Sequence, residues 1–257
     1  MYLYYKGKIL LINGINKRAI EYKKDYTVSI IDQTVLPHSL EYKILSNISD
    51  VAKAIKNMLV RGAPLIGVTA SYGMCFAVKE DPSKKNISDA FNMLVKTRPT
   101  AVDLRWALEN FVKEILKFNE VDRFMYAWKI SNALLENSVK QCSDIGDNGL
   151  NLIQKMYKSK KTLNILTHCN AGWLACVDWG TALAPIYKAF NSGVAIHVWV
   201  DETRPRSQGA SLTCWELSQH GVPNTLIVDN AGGHLMQNGM VDMCIVGSDR
   251  TASNGDV

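Results

Sequence analysis

Residues 163–172 read LNILTHCNAG, and the pattern of this stretch decides the fold class. Leu163 to Thr167 form a short apolar run, which predicts a buried strand, and the polar residues after it predict a turn. Three further apolar runs follow along the chain, at Val194–Val200, Thr225–Val228 and Asp242–Val246. Helical patterns separate these runs. Strands that alternate with helices predict a parallel sheet with right-handed crossovers.

The helices predicted between these strands cover residues 173–190, 209–219 and about 232–238. Gly221 and Pro223 mark the end of the second helix, because glycine is common just past a helix end and proline cannot continue the helix. The first helix falls in the longest apolar stretch, Ala171–Phe190. Charged residues, a glycine and a proline interrupt that stretch, which favours a buried core helix over a membrane span.

Upstream of residue 150 the pattern is different. Residues 1–45 alternate apolar and polar positions between turn signals, which predicts short antiparallel strands. The helices predicted after them run from an N-cap at Ser49 to Leu59, from Pro64 to Val78, from Thr97–Thr100 through Phe111, from Asp122 to Cys142, and from about 147 to 157.

The chain is therefore predicted to have an α/β fold with two domains. A domain of short strands plus helices covers residues 1–145, and a parallel-sheet domain covers residues 146–257. A doubly wound sheet usually continues beyond a fourth strand. The sequence therefore predicts that the second domain is incomplete at its C-terminus.

Composition excludes several classes of protein. The 257 residues are 47% hydrophobic and 21% charged, as in an ordinary globular protein. The net charge is +5, and the lysines are scattered along helical patterns rather than gathered in a stripe, so we expect no nucleic-acid partner. The six cysteines form no CxxC pair, which argues against a zinc site and favours reduced thiols in a cytoplasmic protein. The apolar run Ile9–Ile12 is too short for a signal peptide.

The common nucleotide-binding and hydrolase motifs are missing from the sequence. Candidate site residues must therefore be identified from their positions in the predicted fold. In open parallel sheets ligands bind beyond the carboxyl ends of the strands. His168–Gly172 follows the first predicted strand of this sheet, Asp201–Gly209 the second, and Gly247–Arg250 the fourth. Taken alone, Cys169 could be a buried small residue and Asp249 a turn cap. Together, three polar segments at one edge of the sheet predict a site there.

Two arginines add to this site. Arg61 and Arg98 each precede a predicted helix, beside proline and a small or hydroxyl residue. A guanidinium group and the free amides of a helix N-terminus together bind phosphate well. An ion pair or an exposed position would explain either arginine equally well when it is taken alone.

Six motifs of the sequence resemble those of the methylthioribose-1-phosphate isomerase family. They are RGAPLIG at 61–67, TRPTAV at 97–102, THCNAG at 167–172, DETRP at 201–205, QGA at 208–210 and GSDR at 247–250. The wider family also contains ribose-1,5-bisphosphate isomerase and non-catalytic regulatory subunits of a translation initiation guanine-nucleotide exchange factor. The resemblance implies a small N-terminal domain, a Rossmann-like C-terminal domain, a homodimer and an Asn-Lys pair beyond Val257.

The resemblance also implies roles for individual residues. Cys169 and Asp249 correspond to the catalytic pair of the family's enzymes. The substrate-binding positions correspond to Arg61, Gly62, Ala63, Arg98 and Gln208.

The implied reaction converts an aldose 1-phosphate, 5-methylthioribose 1-phosphate, to the ketose 1-phosphate in methionine salvage, with no metal or other cofactor. The mechanism needs an acid near the ring oxygen, so we expect Asp249 to be desolvated by apolar neighbours. Three alternatives remain open. The substrate could be 5-deoxyribose 1-phosphate or ribose 1,5-bisphosphate, or the chain could be a regulatory subunit of the exchange factor. The presence of both Cys169 and Asp249 favours an enzyme.

Overall fold

The structure is a computed structural model that describes residues 11–12, 14–158 and 161–256. The chain forms two compact units that are discontinuous in sequence. The N-terminal unit contains Arg18–Cys142 and Trp173–Asp178. The C-terminal unit contains Ser143–Gly172, the residues from Trp179 onward, and the described residues before Arg18.

Short antiparallel strands open the described chain, as the alternating pattern predicts. Strands β1 (Leu11–Ile12) and β2 (Ile15–Asn16) pair with each other in the C-terminal unit. In the N-terminal unit, β4 (Val28–Ile31) is the central strand of a sheet, between β3 (Ile20–Tyr22) and β5 (Tyr42–Leu45). The strands predicted at residues 1–10 and the turn at Asn13 lie outside the described residues.

Four helices follow in the N-terminal unit: α1 (Ile48–Lys56), α2 (Ala63–Glu80), α3 (Lys84–Val95) and α4 (Val102–Ile115). Helix α2 is buried from Leu65 to Val78 and packs against the other three. This all-round burial suits its nearly uninterrupted apolar sequence. Pro64 lies in its first turn, as predicted.

Two details of these helices differ from the sequence prediction. The N-cap of α1 is Asn47, whose side chain accepts a hydrogen bond from the Asp50 amide at 2.9 Å, and not Ser49. Helix α3 is absent from the prediction. Its N-cap is Ser83, and it buries Ile87, Ala90 and Leu94, a spacing that repeats once per turn.

Helix α5 (Glu120–Tyr157) is one continuous helix of 38 residues, so the prediction of two helices is wrong. Glycines at 146 and 149 weaken the helical pattern of the sequence, because glycine disfavours a helix interior by about 1 kcal/mol. In the folded chain Lys188 and Pro185 pack closely against the backbone at these glycines. The Lys188 ammonium also donates to the Ser143 carbonyl at 2.8 Å and pairs with Asp147 at 2.7 Å. Tertiary packing therefore outweighs local propensity here.

The C-terminal unit contains the predicted parallel sheet. Its strands are β6 (Leu163–Thr167), β7 (Ile196–Asp201), β8 (Asn224–Ile227) and β9 (Met243–Cys244), in the spatial order β8-β7-β6-β9. All three pairings are parallel. The α/β fold class, with small N-terminal strands and a Rossmann-like parallel sheet, is confirmed.

The connection from β6 to β7 differs from the single long helix predicted for residues 173–190. Only α6 (Ala184–Asn191) is α-helical, and Trp173–Ala175 forms a 3₁₀ turn. Trp179 and Gly180 both have positive φ, at 63° and 81°, and an α-helix cannot pass through two such residues. The prediction that Cys169 precedes an α-helix N-terminus is therefore also wrong.

The remaining elements follow the prediction closely. A π-helical segment, Gly209–Thr213, continues directly into α7 (Cys214–His220). Gly221 ends α7 in the left-handed conformation, with φ of 81°. Helix α8 (Ala231–Gln237) precedes β9. Among the described residues, none of the helices has the length and apolar character needed to cross a membrane.

Candidate active site

The strand order of the parallel sheet reverses between β6 and β9. The chain passes from β6 to β7 and β8 on one side, and then returns to place β9 on the other side of β6. Such a reversal opens a crevice at the carboxyl ends of the strands, where ligands of open α/β sheets bind. Cys169 follows β6 and Asp249 follows β9. Strands β6 and β9 are parallel neighbours in the sheet. That Cys169 and Asp249 contribute to one site stays a prediction.

Cys169 has an unusual backbone conformation. Its φ is 61°, in the left-handed region, which costs a non-glycine residue roughly 1–2 kcal/mol. The Cys169 amide donates to the Thr203 hydroxyl oxygen at 2.8 Å. The Cys169 carbonyl accepts from the Thr213 hydroxyl at 2.6 Å. Side chains on two other segments therefore hold both polar backbone groups of this residue.

Thr203 lies in the loop after β7 and is itself held in place. Its φ is 66°, which is rare for a β-branched residue. Its amide donates to Asp229 Oδ1 at 2.7 Å, and its hydroxyl donates to the Asp201 carbonyl at 3.0 Å. The Asp229 carboxylate also accepts from the Arg204 amide. The amides of Arg204 and Thr203 lower the pKa of Asp229.

A buried carboxylate lies beneath the loop that carries Cys169. Glu216, on α7, is fully buried, and its Oε1 accepts from Asn170 Nδ2 at 3.3 Å. Asn170 Nδ2 also donates to the Thr213 hydroxyl at 3.1 Å. At Gly172 the Glu216 carboxylate occupies the space that a Cβ would need. An alanine at this position of THCNAG would therefore require the buried Glu216 side chain to move.

His168 precedes Cys169 and contacts a second carboxylate. Its Nδ1 lies 3.2 Å from Oδ2 of Asp201, the last residue of β7. The His168 side chain is half exposed, whereas Asp201 is buried. This contact adds a second link between the ends of β6 and β7.

The degree of burial varies among the other cysteines. Cys75 and Cys176 are buried, and burial raises the pKa of Cys75 to about 12. Burial also raises the pKa of Cys214 to about 11. Such thiols remain protonated at neutral pH and are poor nucleophiles. In the part of the chain that the structure describes, no group of three or more His, Cys, Asp or Glu could hold a metal ion.

Asp249 lies in an exposed segment. Strand β9 has only two residues, and Val246 to Asp256 are exposed. The sequence predicts that apolar neighbours shield the Asp249 carboxyl group from water. That prediction is wrong for the described chain, because the apolar residues before it, Met243 to Val246, do not enclose the loop.

Gln208, the third predicted site residue of the C-terminal unit, is half-buried. It immediately precedes the π-helical segment Gly209–Thr213, which delivers Thr213 to the carbonyl of Cys169. The end of the loop after β7 is thereby tied to the loop after β6.

The RGA motif lies in the N-terminal unit. Arg61 is half-buried, Gly62 is the N-cap of α2, and Ala63 is the first residue of that helix. Gly62 has φ of 85°, and the backbone of Ala175 occupies the space where a Cβ would lie. A glycine at this position is therefore explained by the fold, independently of any ligand.

Arg98 also lies in the N-terminal unit, in the turn between α3 and α4. Its carbonyl accepts from the Ala101 amide at 3.0 Å. Helix α4 begins at Val102, with Ala101 as its N-cap, so the prediction of a helix start at Thr97–Thr100 is wrong by a few residues. Pro99 disfavours the helical conformation of Arg98, the residue before it.

Residues 59–257 match the model of the Initiation factor 2 subunit family. The chain belongs to this family.

Named members of the family include an isomerase. The methylthioribose-1-phosphate isomerase of Paramagnetospirillum magneticum is 54% identical over 248 residues, which cover 96% of this chain and 68% of that protein. The chain covers 61–66% of the length of four further isomerases of that name. The resemblance inferred from the motifs is confirmed.

Two solved structures of the family have a similar fold. One is 5-methylthioribose 1-phosphate isomerase from Pyrococcus horikoshii, with a TM-score of 0.85 and 35% identity, covering 99% of this chain and 71% of that one. The other is translation initiation factor eIF-2B, subunit delta, from A. fulgidus, with a TM-score of 0.81 and 38% identity, covering 92% of this chain and 69% of that one.

The sequence does not single out the residues whose side chains hold these loops in place. Thr203 lies inside the DETRP motif, while Thr213, Glu216 and Asp229 lie outside the quoted motifs. No signal in the sequence pairs Thr213 with Cys169, because 44 positions separate them. Only the return of the chain through β7 brings these residues to the end of β6.

Proposed function

We propose that the protein is an isomerase that converts 5-methylthioribose 1-phosphate to 5-methylthioribulose 1-phosphate. The observation that carries this proposal is the 54% identity to proteins named methylthioribose-1-phosphate isomerase, over most of the chain. The loop that carries Cys169, at the reversal of the strand order, supports a site at the carboxyl end of the sheet.

The proposed reaction is redox-neutral. The bond between C1 and the ring oxygen breaks, and the ring oxygen takes a proton. The hydrogen on C2 moves to C1, and the C2 hydroxyl loses its proton as C2 becomes a ketone. Because C2 is oxidised while C1 is reduced, the reaction needs no external oxidant or reductant, and we propose that it uses no cofactor.

We propose Cys169 and Asp249 as the catalytic pair. One of them would protonate the ring oxygen while the other acts at C1 and C2. The clamped backbone of Cys169 supports this role, because a thiol on a fixed loop keeps its direction toward a substrate. Asp249 is the acid in this proposal; because its carboxyl group is exposed in the described chain, the proposal requires the bound substrate to shield it from water.

Substrate binding is proposed for Arg61, Gly62, Ala63, Arg98 and Gln208. The two guanidinium groups suit a phosphate, since an arginine donates paired hydrogen bonds to phosphate oxygens. A half-buried amide such as that of Gln208 suits a sugar hydroxyl, because it both donates and accepts hydrogen bonds.

We further propose that the protein acts as a homodimer in the cytoplasm, with a sugar phosphate as its small-molecule partner and without binding nucleic acid. Unpaired cysteines support a reducing compartment. The assembly state would be measured by light scattering at several protein concentrations.

A second candidate function is a regulatory subunit of a translation initiation exchange factor. The structure from A. fulgidus, which is 38% identical, carries such a name. The enzyme is favoured because Cys169 and Asp249 are both present and because the curated relatives at 54% identity are named as isomerases.

The deciding experiment measures turnover by purified protein that carries this sequence. Three substrates would be compared: 5-methylthioribose 1-phosphate, 5-deoxyribose 1-phosphate and ribose 1,5-bisphosphate. We expect ketose formation with the highest kcat/KM for the methylthio sugar. Higher turnover of the 5-phospho sugar would reassign the substrate. Absence of turnover with all three, measured with the full-length protein, would favour the regulatory subunit.

A further inference from the structure

Cys169 is the residue on which two threonine side chains converge. Its amide donates to the hydroxyl of Thr203, and its carbonyl accepts from the hydroxyl of Thr213. These are the two polar groups of its backbone, and each is bound by a hydroxyl from a different segment. Because φ of Cys169 is 61°, the backbone needs such outside support to remain in the left-handed conformation.

The two threonines are well placed to give that support. Thr203 is 6% exposed and Thr213 is fully buried. Thr203 is anchored by its amide on Asp229 and by its hydroxyl on the Asp201 carbonyl. Each hydroxyl both donates and accepts: that of Thr203 between Asp201 and Cys169, and that of Thr213 between Cys169 and Asn170. A serine could make the same bonds, whereas a valine of nearly the same shape could make none of them.

We propose that Thr203 and Thr213 are positioning residues for the reaction, which fix the Cys169 peptide so that its thiol points in one direction. The inference rests on the proposed catalytic role of Cys169. Neither threonine need touch the substrate, since both act through the backbone of Cys169. The fully buried Glu216 carboxylate supports the same loop from below, through Asn170.

The test compares valine and serine at each position. In Thr203→Val and Thr213→Val we expect kcat to fall about 10- to 100-fold, because a small misplacement of a reacting group has an effect of this size. The KM should change by less than about threefold, because substrate-binding groups are untouched. Thr203→Ser and Thr213→Ser should restore kcat to within about threefold of the unmodified protein.

A matched control separates loss of positioning from general loss of stability. Thr69, on α2, is also fully buried and also donates its hydroxyl to a backbone carbonyl, that of Leu65 at 2.7 Å. Thr69→Val should leave kcat unchanged, and its melting temperature would be measured beside that of Thr213→Val. If Thr69→Val and Thr213→Val lower kcat equally, the positioning role is overturned.

A second readout does not depend on isomerase activity. Iodoacetamide alkylation of Cys169 would be followed by peptide mass spectrometry, with the exposed Cys244 in the same sample as the reference thiol. Freeing the half-buried Cys169 loop should raise its alkylation rate, relative to Cys244, by about threefold or more in both valine variants. The serine variants should behave like the unmodified protein.

The two readouts distinguish the possible failures. If the unmodified protein turns over no sugar phosphate but the valine variants show faster alkylation, the proposed function fails and the clamp on Cys169 stands. If kcat and alkylation are both unchanged in the valine variants, the inference about Thr203 and Thr213 is wrong while the isomerase function stands.

Discussion

The loops after β6 and β9 leave adjacent parallel strands, but they are held very differently. In the loop after β6, Cys169 is bound through its amide and its carbonyl, and the buried Glu216 contacts Asn170. In the segment after β9, Ile245 is still bound to β6, through its amide on the Leu166 carbonyl and its carbonyl on the Thr167 hydroxyl. Asp249 beyond it is exposed, and the hydrogen bonds at residues 252–256 are local, as between the Ala252 amide and the Asp256 carbonyl at 2.8 Å.

This difference concerns two separate properties of a motif residue: whether it acts in the reaction, and how firmly the fold holds it. A motif can indicate which residue acts, and both loops carry one. How firmly that residue is held depends on contacts from elsewhere in the chain. For Cys169 those contacts come from the segments after β7, and they are present in the described chain. The predictions below test whether the two loops differ in function as they differ in packing.

The largest loss of kcat is expected from a substitution in the loop after β6. Cys169→Ala should lower kcat about 10³- to 10⁴-fold, in the upper range for loss of an acid–base group. Steady-state kinetics with 5-methylthioribose 1-phosphate measures this. Cys244→Ser is the control, because Cys244 is also a free and accessible thiol and should be replaceable with little change. Equal losses in the two variants would show that thiol chemistry is not specific to position 169.

The next largest loss of kcat is expected from a substitution in the segment after β9. Asp249→Asn should lower kcat by at least about 10²-fold if Asp249 donates a proton, because asparagine keeps the shape but not the acid. If Asp249 only caps a turn, asparagine would serve equally well and kcat would stay near normal. The same kinetic assay separates these outcomes, and a melting curve confirms that the variant is folded.

In the N-terminal unit, Arg98 is expected to bind the phosphate of the substrate. Arg98→Ala should raise KM for the phosphorylated sugar about 10- to 100-fold, since a charge-assisted hydrogen bond contributes about 1.5–3 kcal/mol. Arg105→Ala is a suitable control, because Arg105 is exposed on α4 and pairs with Glu109 at 3.6 Å. An unchanged KM in Arg98→Ala would contradict a role in phosphate binding.

A smaller effect, on stability, tests the packing beneath Cys169. Gly172→Ala should lower the free energy of unfolding by about 1–3 kcal/mol, because the new methyl group displaces the Glu216 carboxylate. Gly233→Ala is the matched control, since nothing lies within 4 Å of the site of its Cβ. Denaturant unfolding would measure both. A tolerated alanine at 172 would mean that the loop is less tightly packed than described.

The smallest effect is a pH dependence at Asp229. Hydrogen bonds from the Arg204 and Thr203 amides lower its pKa in the folded chain. A carboxyl group with a lowered folded-state pKa stabilises the fold above its unfolded pKa of about 4, and this contribution is lost as the pH falls through the folded-state value. The melting temperature should therefore drop less between about pH 5 and pH 3 in Asp229→Asn than in the unmodified protein. Equal drops would contradict this.

Much of the site could be predicted from the sequence because its residues follow strands. The run Leu163–Thr167 coincides with β6, so Cys169 was correctly placed just beyond a strand end. Asp249 was likewise placed correctly after β9. Its surroundings were not predicted, because the burial of a loop residue depends on which segments cover it.

The sequence by itself determined the elements whose cause is local. Short apolar runs determined the positions of the parallel strands, Gly221 determined the end of α7, and Pro64 determined the first turn of α2. In each case the deciding residues are neighbours along the chain, so that side-chain spacing or a fixed backbone angle is sufficient.

Tertiary structure alone decided the features that join distant segments. Helix α5 continues through Gly146 and Gly149 because Lys188 and Pro185 pack against it, and residues 173–183 are not α-helical although they are apolar. Cys169 is held in its left-handed conformation by hydroxyls 34 and 44 positions away. Local propensities differ by only about 1 kcal/mol per residue, so packing and hydrogen bonds between segments outweigh them wherever the two conflict.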